Sequence, residues 1–304
     1  MTLSLESTFI KHFACLEDPR VERTKHHLLI DIIAIAILAV ISGADGWVAI
    51  ETYGQAKQEW LASFLSLAKG IPSHDTFARV FARLEPSEFE QCFTNWINTI
   101  TKELGAQVIP IDGKTLRGSY DREAKQKPLT VVSAWASSHR LVLGQLKVNS
   151  KSNEITAIPE LLKMLNISGS IITIDAMGCQ KSIATLIRHQ GADLGIVICE
   201  RRLWNRTTLE VRYYLTSLEV DAQVLAHAVR THWGVENSVH WTIDVTFKED
   251  ASRIRTAHSA QNFALLRRIA LNQLQRETSV KSSIRQKRYR AALDNQYAIK
   301  VLLA

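Results

Sequence analysis

Two carboxylates follow short apolar, β-rich runs: Asp112 comes after residues 108–111 and precedes Gly113, and Asp175 comes after 171–174 and precedes Ala176 and, at 178, a glycine. An ionised acid at the end of a buried strand is poorly solvated unless a cation meets it, and strand ends are where open α/β sheets bind ligands. A third acid, Glu236, lies in His-Trp-Gly-Val-Glu-Asn-Ser-Val-His-Trp at 232–241. There His232, Glu236 and His240 fall four apart and share one face of a helix. Three carboxylates gathered at one edge can hold two magnesium or manganese ions, because hard divalent cations prefer oxygen ligands. Such a pair activates a water or a 3′-hydroxyl for in-line attack on a phosphodiester. Taken singly, Asp112 and Asp175 each read first as a turn cap, and the stripe with Glu236 reads equally as a solvated helix face; the like placement of Asp112 and Asp175 favours a site. The histidine stripe lacks the HExxH spacing of a zinc protease. The adjacent trio Ser73, His74 and Asp75 cannot converge as a catalytic triad and reads as a helix cap.

The elements that would position these acids follow from periodicity. Residues 29–104 are helical in pattern, with an apolar segment at 32–41 and amphipathic ones at 47–67 and 76–100, punctuated at 43–46 and 70–73. Ser73 is placed to cap a helix that presents Phe77, Val80, Phe81 and Leu84 on one face. From 107 the period changes to strands at 108–112, 130–136 and 141–148, followed by a helix at 153–165, a strand at 171–175, a helix at 181–190 and a strand at 195–199. That order builds a mixed sheet flanked by helices, with the first three strands antiparallel and the later ones joined by crossovers, as in a ribonuclease H-like core. A further strand is expected at 211–218, a helix at 222–243, an irregular stretch at 247–252, a helix at 259–276 and a basic tail. The fold class is therefore α/β, with an all-helical N-terminal domain (1–105) ahead of a ribonuclease H-like domain (106–304).

The chain carries 37 Lys+Arg against 30 Asp+Glu, a formal +7, which suits a polyanionic partner. The tail at 281–290 holds Lys281, Arg285, Lys287, Arg288 and Arg290 with Tyr289 among them; Lys114 and Arg117 flank Asp112, and Arg253, Arg255, Arg267 and Arg268 add to the positive charge. Such side chains neutralise phosphates and carry little sequence information, and each group reads alternatively as a solvated charge face. Specific readout is assigned to the helix at 76–84 in a major groove. Cys15, Cys92, Cys179 and Cys199 are scattered without a CxxC pair, which fits a reducing cytoplasm. The apolar run at 28–41 contains Asp31 and is too short to span a bilayer, so it reads as a buried helix and no membrane partner is expected.

Three segments carry a resemblance: Ile-Asp-Gly-Lys-Thr-Leu-Arg-Gly-Ser at 111–119, Ile-Asp-Ala-Met at 174–177 and His-Trp-Gly-Val-Glu-Asn at 232–237. Together with Gly-Ile-Pro-Ser-His-Asp-Thr-Phe at 70–77, Ile-Asp-Val-Thr-Phe-Lys-Glu-Asp at 243–250 and Arg-Ile-Arg at 253–255, they resemble the DDE insertion-sequence transposases, nearest the H-repeat-associated family. The resemblance implies magnesium- or manganese-dependent cleavage of double-stranded DNA at terminal inverted repeats, strand transfer into target DNA, and a homodimer on the DNA. It makes Asp112, Asp175 and Glu236 the catalytic, metal-holding acids, with Asp244 and Asp250 as alternatives for the third. Where the wider superfamily has a tyrosine and an arginine before the glutamate and a lysine after it, this chain has Val229, His232 and Ile243, and His232 is expected to take over phosphate contact. Asp175 stands 63 positions after Asp112, and Glu236 61 after Asp175. That is short for the family, whose long insertion is missing where 194–198 runs into Cys199-Glu200-Arg201-Arg202. Three readings follow: a transposase, a metal-dependent nuclease without strand transfer, and a DNA-binding remnant inactivated by internal deletion.

Overall fold

A computed structural model describes residues 9–101, 105–120, 127–148, 153–198, 213–219 and 221–304. The expected junction at Cys199–Arg202 lies outside them. The chain falls into two compact units: Met1–Thr99, Thr115–Leu129 and Trp241–Ala304 form one, and Ile100–Lys114 with Thr130–His240 the other. Element types change along the chain near 105, whereas the packed units are not linear, because Trp241–Ala304 packs with the N-terminal helices.

The first unit is helical. Its centre is α1 (Leu29–Ile41), in which every residue from Asp31 to Ile41 is buried. An apolar helix of this kind must be covered on all sides. The cover comes from α2 (Trp47–Ala56) and from α10 (Ser259–Arg276), α11 (Ile284–Leu293) and α12 (Asn295–Leu302). No helix among the described residues is long and apolar enough to cross a membrane. After α2 comes the one-turn α3 (Gln58–Leu61), so the amphipathic stretch expected at 47–67 is broken. The stretch at 76–100 also divides, into α4 (His74–Arg83) and α5 (Pro86–Thr101), because Pro86 begins a helix more readily than it continues one. Ser73 caps α4 by accepting from the Thr76 amide at 3.3 Å, and Phe77, Val80, Phe81 and Leu84 are buried.

Within α1, burial pushes the Asp31 carboxyl up to about 6, opposed by the Ser66 amide. An acid whose folded pKa exceeds its unfolded value costs stability as pH rises from about 4 to about 6, and the full cost applies above that. Asp31→Asn is therefore expected to stabilise the protein by about 1–3 kcal/mol at pH 7.5 and by far less at pH 4. Urea unfolding at the two pH values checks this; an equal effect at both would contradict it.

Several residues read as DNA-facing are instead internal to this unit. Arg267 and Arg268 are 2% and 0% exposed and surround the buried Glu249: Arg268 grips both carboxylate oxygens, and Arg267 Nη1 lies 3.6 Å from Oε1. Lys287 Nζ donates to the carbonyls of Leu274, at 2.9 Å, and Glu277 at the end of α10. Arg288 Nη2 donates to Val40 O at 2.9 Å at the end of α1, and its guanidinium lies 4.1 Å over the Phe247 ring. The last carbonyls of a helix lack partners within it and carry partial negative charge, so a buried cation is well placed there. Lys287 and Arg288 thus bind helix ends, where a phosphate cannot reach them.

The second unit is built on a six-stranded sheet of order β3-β2-β1-β4-β5-β6, with β1 (Val108–Leu116), β2 (Leu129–Ala136), β3 (Leu141–Lys147), β4 (Ile171–Asp175), β5 (Asp193–Ile198) and β6 (Tyr213–Thr216). β2 and β3 are antiparallel, β1, β4 and β5 parallel, and β6 antiparallel to β5. This is the mixed ribonuclease H-like arrangement the element order predicts. Helix α6 (Glu154–Met164) packs on β3, α7 (Lys181–His189) on β5 and α8 (Ala222–His232) on β4 and β5.

Candidate functional site

β1 is longer than its apolar run predicts, continuing through Asp112 to Leu116. Its pairing with β4 nevertheless stops early, at Val108↔Ile171, Ile109↔Ile172 and Pro110↔Thr173. Continuing that register by two residues sets Asp112 level with Asp175, so both acids lie at or beyond the end of the shared ladder. Asp112 Oδ1 accepts from the Gly113 amide at 2.8 Å, and Oδ2 lies 3.5 Å from His240 Nδ1. Asp175 Oδ1 accepts from the amides of Met177, at 3.0 Å, and Gly178, at 3.2 Å, capping a short 3-10 turn. Each carboxylate is held by the backbone that follows it, which fixes its direction without neutralising it.

The third acid arrives on the segment after α8. The helix expected at 222–243 is interrupted: Glu236–His240 forms a single wide π turn before α9 (Trp241–Phe247). π turns inside helices concentrate at functional sites, because the extra residue redirects the side chains beside it. Here Glu236 is exposed and His240 reaches Asp112. Gly234, just before the turn, has the Trp135 ring 3.0 Å from where a Cβ would sit, a tight contact.

Electrostatics link the acids. Burial, followed by the negative charges of Glu154, Glu236 and Asp175, pushes the Asp112 carboxyl up to about 7 against the opposing Gly113 amide. Glu154, in the first turn of α6, is itself raised by burial and by Asp175. Among the described residues no Lys or Arg bonds to any of the four acids. Oxygen donors gathered without a protein counter-ion suit a hard divalent cation. Among the described residues no three such side chains are drawn close enough to enclose one, so the donor set fits the ion in chemistry and stands open in geometry.

The remaining expected residues divide. His232 is 5% exposed, with Nδ1 3.0 Å from Thr173 Oγ1 of β4, and burial lowers its pKa although Asp175 and the Thr173 backbone raise it. It is a neutral tie between α8 and β4, and the phosphate contact expected of it is not available to a ring so enclosed. Lys114 is 7% exposed and likewise turned inward. In the first unit, Arg117 is exposed beside Asp250 (3.6 Å), Arg253 is exposed, and Arg255 donates to Gly118 O at 3.1 Å and lies over the Tyr120 ring. Asp244 raises the pKa of Arg267 there, so the two alternative third acids sit with arginines. Lys281, Arg285 and Arg290 are exposed. Glu154, whose charge acts on Asp112, reads in the sequence only as a first-turn glutamate following Asn153.

A family model described as Transposase DDE domain matches residues 103–273, and one described as DDE_Tnp_1-associated matches 10–97. The H repeat-associated putative transposase YhhI of Escherichia coli (strain K12) is 36% identical over 368 aligned positions, covering 96% of this chain and 97% of that protein. The H repeat-associated putative transposase YbfD of the same strain is 46% identical over 184 residues, 60% of this chain and 73% of its own. Among solved structures, the cryo-EM structure of a piggyBac transposase synaptic complex with hairpin DNA aligns at 13% identity with a TM-score of 0.46, covering 99% of this chain and 78% of that one. The YhhI alignment runs over 368 positions against 304 residues here, so the relative carries segments without a counterpart in this chain.

Proposed function

Because the chain belongs to the DDE transposase family, we propose that it cleaves DNA phosphodiesters at the ends of a mobile element through Asp112, Asp175 and Glu236, and joins those ends to target DNA as a homodimer. The observation that carries this reading is the placement of Asp112 and Asp175 at the end of the β1–β4 ladder, each aimed by the backbone amides that follow it. Bound magnesium or manganese would supply Lewis-acid stabilisation of the attacking and leaving oxygens. The chain's own part is positioning. Asp112 and Asp175 are aimed by the amides that follow them, Glu236 is presented on the π turn, and the His232–Thr173 bond ties that turn's helix to β4.

Nicking of supercoiled plasmid with magnesium tests cleavage, and capture of a precut end by target DNA tests joining. Nicking without joining would favour a nuclease, a reading encouraged by the segments missing relative to YhhI. DNA binding without nicking would favour a remnant. The exposed Arg117, Arg253, Lys281, Arg285 and Arg290 remain the proposed phosphate contacts. Replacing Lys281, Arg285 and Arg290 together by alanine is expected to flatten the plot of log affinity against log salt by up to about three, near one per phosphate contact. An unchanged slope in a filter-binding salt series would remove the tail from the interface.

A further inference from the structure

We propose that Cys15 and Cys92 form a redox modification site, a thiol pair that closes to a disulfide when a small disulfide oxidant reaches Cys15. The two residues stand 77 positions apart in sequence, yet their sulfurs lie 3.2 Å from each other. Both belong to the helical unit. Cys92, on α5, is 3% exposed, whereas Cys15, in the segment ahead of α1, is exposed. Packing holds the two segments together: Phe13 is buried with its ring edge-on to Phe89 of α5, centroids 5.5 Å apart, and Leu16 is buried as well. Closing the bond needs the sulfurs to approach by about 1 Å, which rotation of two short side chains can supply.

The simplest alternative is that both sulfurs fill space, since a free cysteine behaves as a small hydrophobe. That accounts for the buried Cys92 and leaves the exposed Cys15 at its side unexplained. Cys15 Sγ lies 3.5 Å from the His12 carbonyl, to which it donates. Burial, followed by the contact with Cys15, pushes the Cys92 thiol up to about 12, so Cys92 is a poor first nucleophile and Cys15 is the residue that meets the oxidant. With oxidised glutathione, the Cys15 thiolate attacks one sulfur and displaces one glutathione thiolate. The Cys92 sulfur then attacks Cys15 Sγ, and its proton leaves with the second glutathione. Two protein thiols become one disulfide while the oxidant's disulfide becomes two thiols, so electrons and protons balance. The new bond pins the 3-10 turn Phe9–Phe13 to α5.

The test is incubation of the folded full chain with oxidised glutathione, followed by alkylation and peptide mass mapping without a reducing agent. The tryptic peptides 12–20 and 84–102 are expected as one linked species, lighter by two hydrogens than their sum. The melting temperature should rise by about 5 °C or more, because the crosslink restricts the unfolded chain. Cys92→Ser, with circular dichroism confirming its fold, should stop at a glutathione adduct on Cys15. Cys15→Ser, altered at an exposed position, should show neither the link nor an adduct on Cys92. A native chain that does not link these peptides, or links them only once urea has unfolded it, overturns the proposal. A linked protein that melts below the reduced one overturns it too, since the bond would then strain the native packing.

Discussion

Substituting Asp112 by asparagine is expected to lower magnesium-dependent nicking of supercoiled plasmid by roughly a thousandfold, ~4 kcal/mol of transition-state stabilisation, while making the metal-free protein more stable. Both effects come from one arrangement. Burial, together with the negative charges of Glu154, Glu236 and Asp175, pushes the Asp112 carboxyl up to about 7. An acid raised in this way takes up a proton on folding, so its cost to stability grows between about pH 4 and pH 7 and is complete above that range. Asparagine removes the cost, and a gain on the order of 2–4 kcal/mol is expected at pH 8 without metal. Magnesium should then raise the melting temperature of the wild type and leave the variant unchanged. Equal nicking by both proteins would show that the activity does not pass through this acid.

The largest loss of stability is expected from Glu249→Ala. Glu249 is 1% exposed and holds the guanidinium of Arg268, with Arg267 Nη1 3.6 Å away. Removing it leaves two buried guanidinium groups without their carboxylate, and an uncompensated buried charge costs about 3–5 kcal/mol. Burial already lowers the Arg267 pKa to about 10, against the opposing charge of Glu249. The unfolding midpoint in urea should fall sharply, with nicking by the remaining folded fraction little altered. A loss under about 1 kcal/mol would mean that water or another acid compensates the pair.

The strand-end placement of Asp112 and Asp175 is legible because each follows a short apolar run and precedes a turn or a glycine, signals that survive in one dimension. Glu236 is a candidate by its motif alone, while the π turn it stands on is not legible, since spacing by four does not distinguish an α turn from a wider one. The approach of the Glu154 side chain to Gly113 is hidden because it depends on where α6 meets β1, which local sequence does not carry. Lys287 and Arg288 misled for a related reason. A run of charges reads as a solvated face, yet Arg288 finds Val40 O across 248 positions of sequence. The strand order was recoverable because crossovers and hairpins leave few topologies for this series of elements. The break at Pro86 and the length of β1 beyond Asp112 were boundary effects, one set by a missing amide proton and the other by alternation that continues past the acid.

The helical unit is assembled from both ends of the chain, with 115–129 joining it from the middle. During synthesis, α1 therefore leaves the ribosome long before α10, α11 and α12 exist to cover it, and its aliphatic surface must wait while more than two hundred residues are added. Contacts so distant in sequence form slowly, and an uncovered apolar helix invites aggregation in the interval. A nascent chain released before Ser259 would lack α10, α11 and α12 altogether, including the cation that closes the end of α1. The order in which its helices are made thus leaves α1 without its cover for most of synthesis.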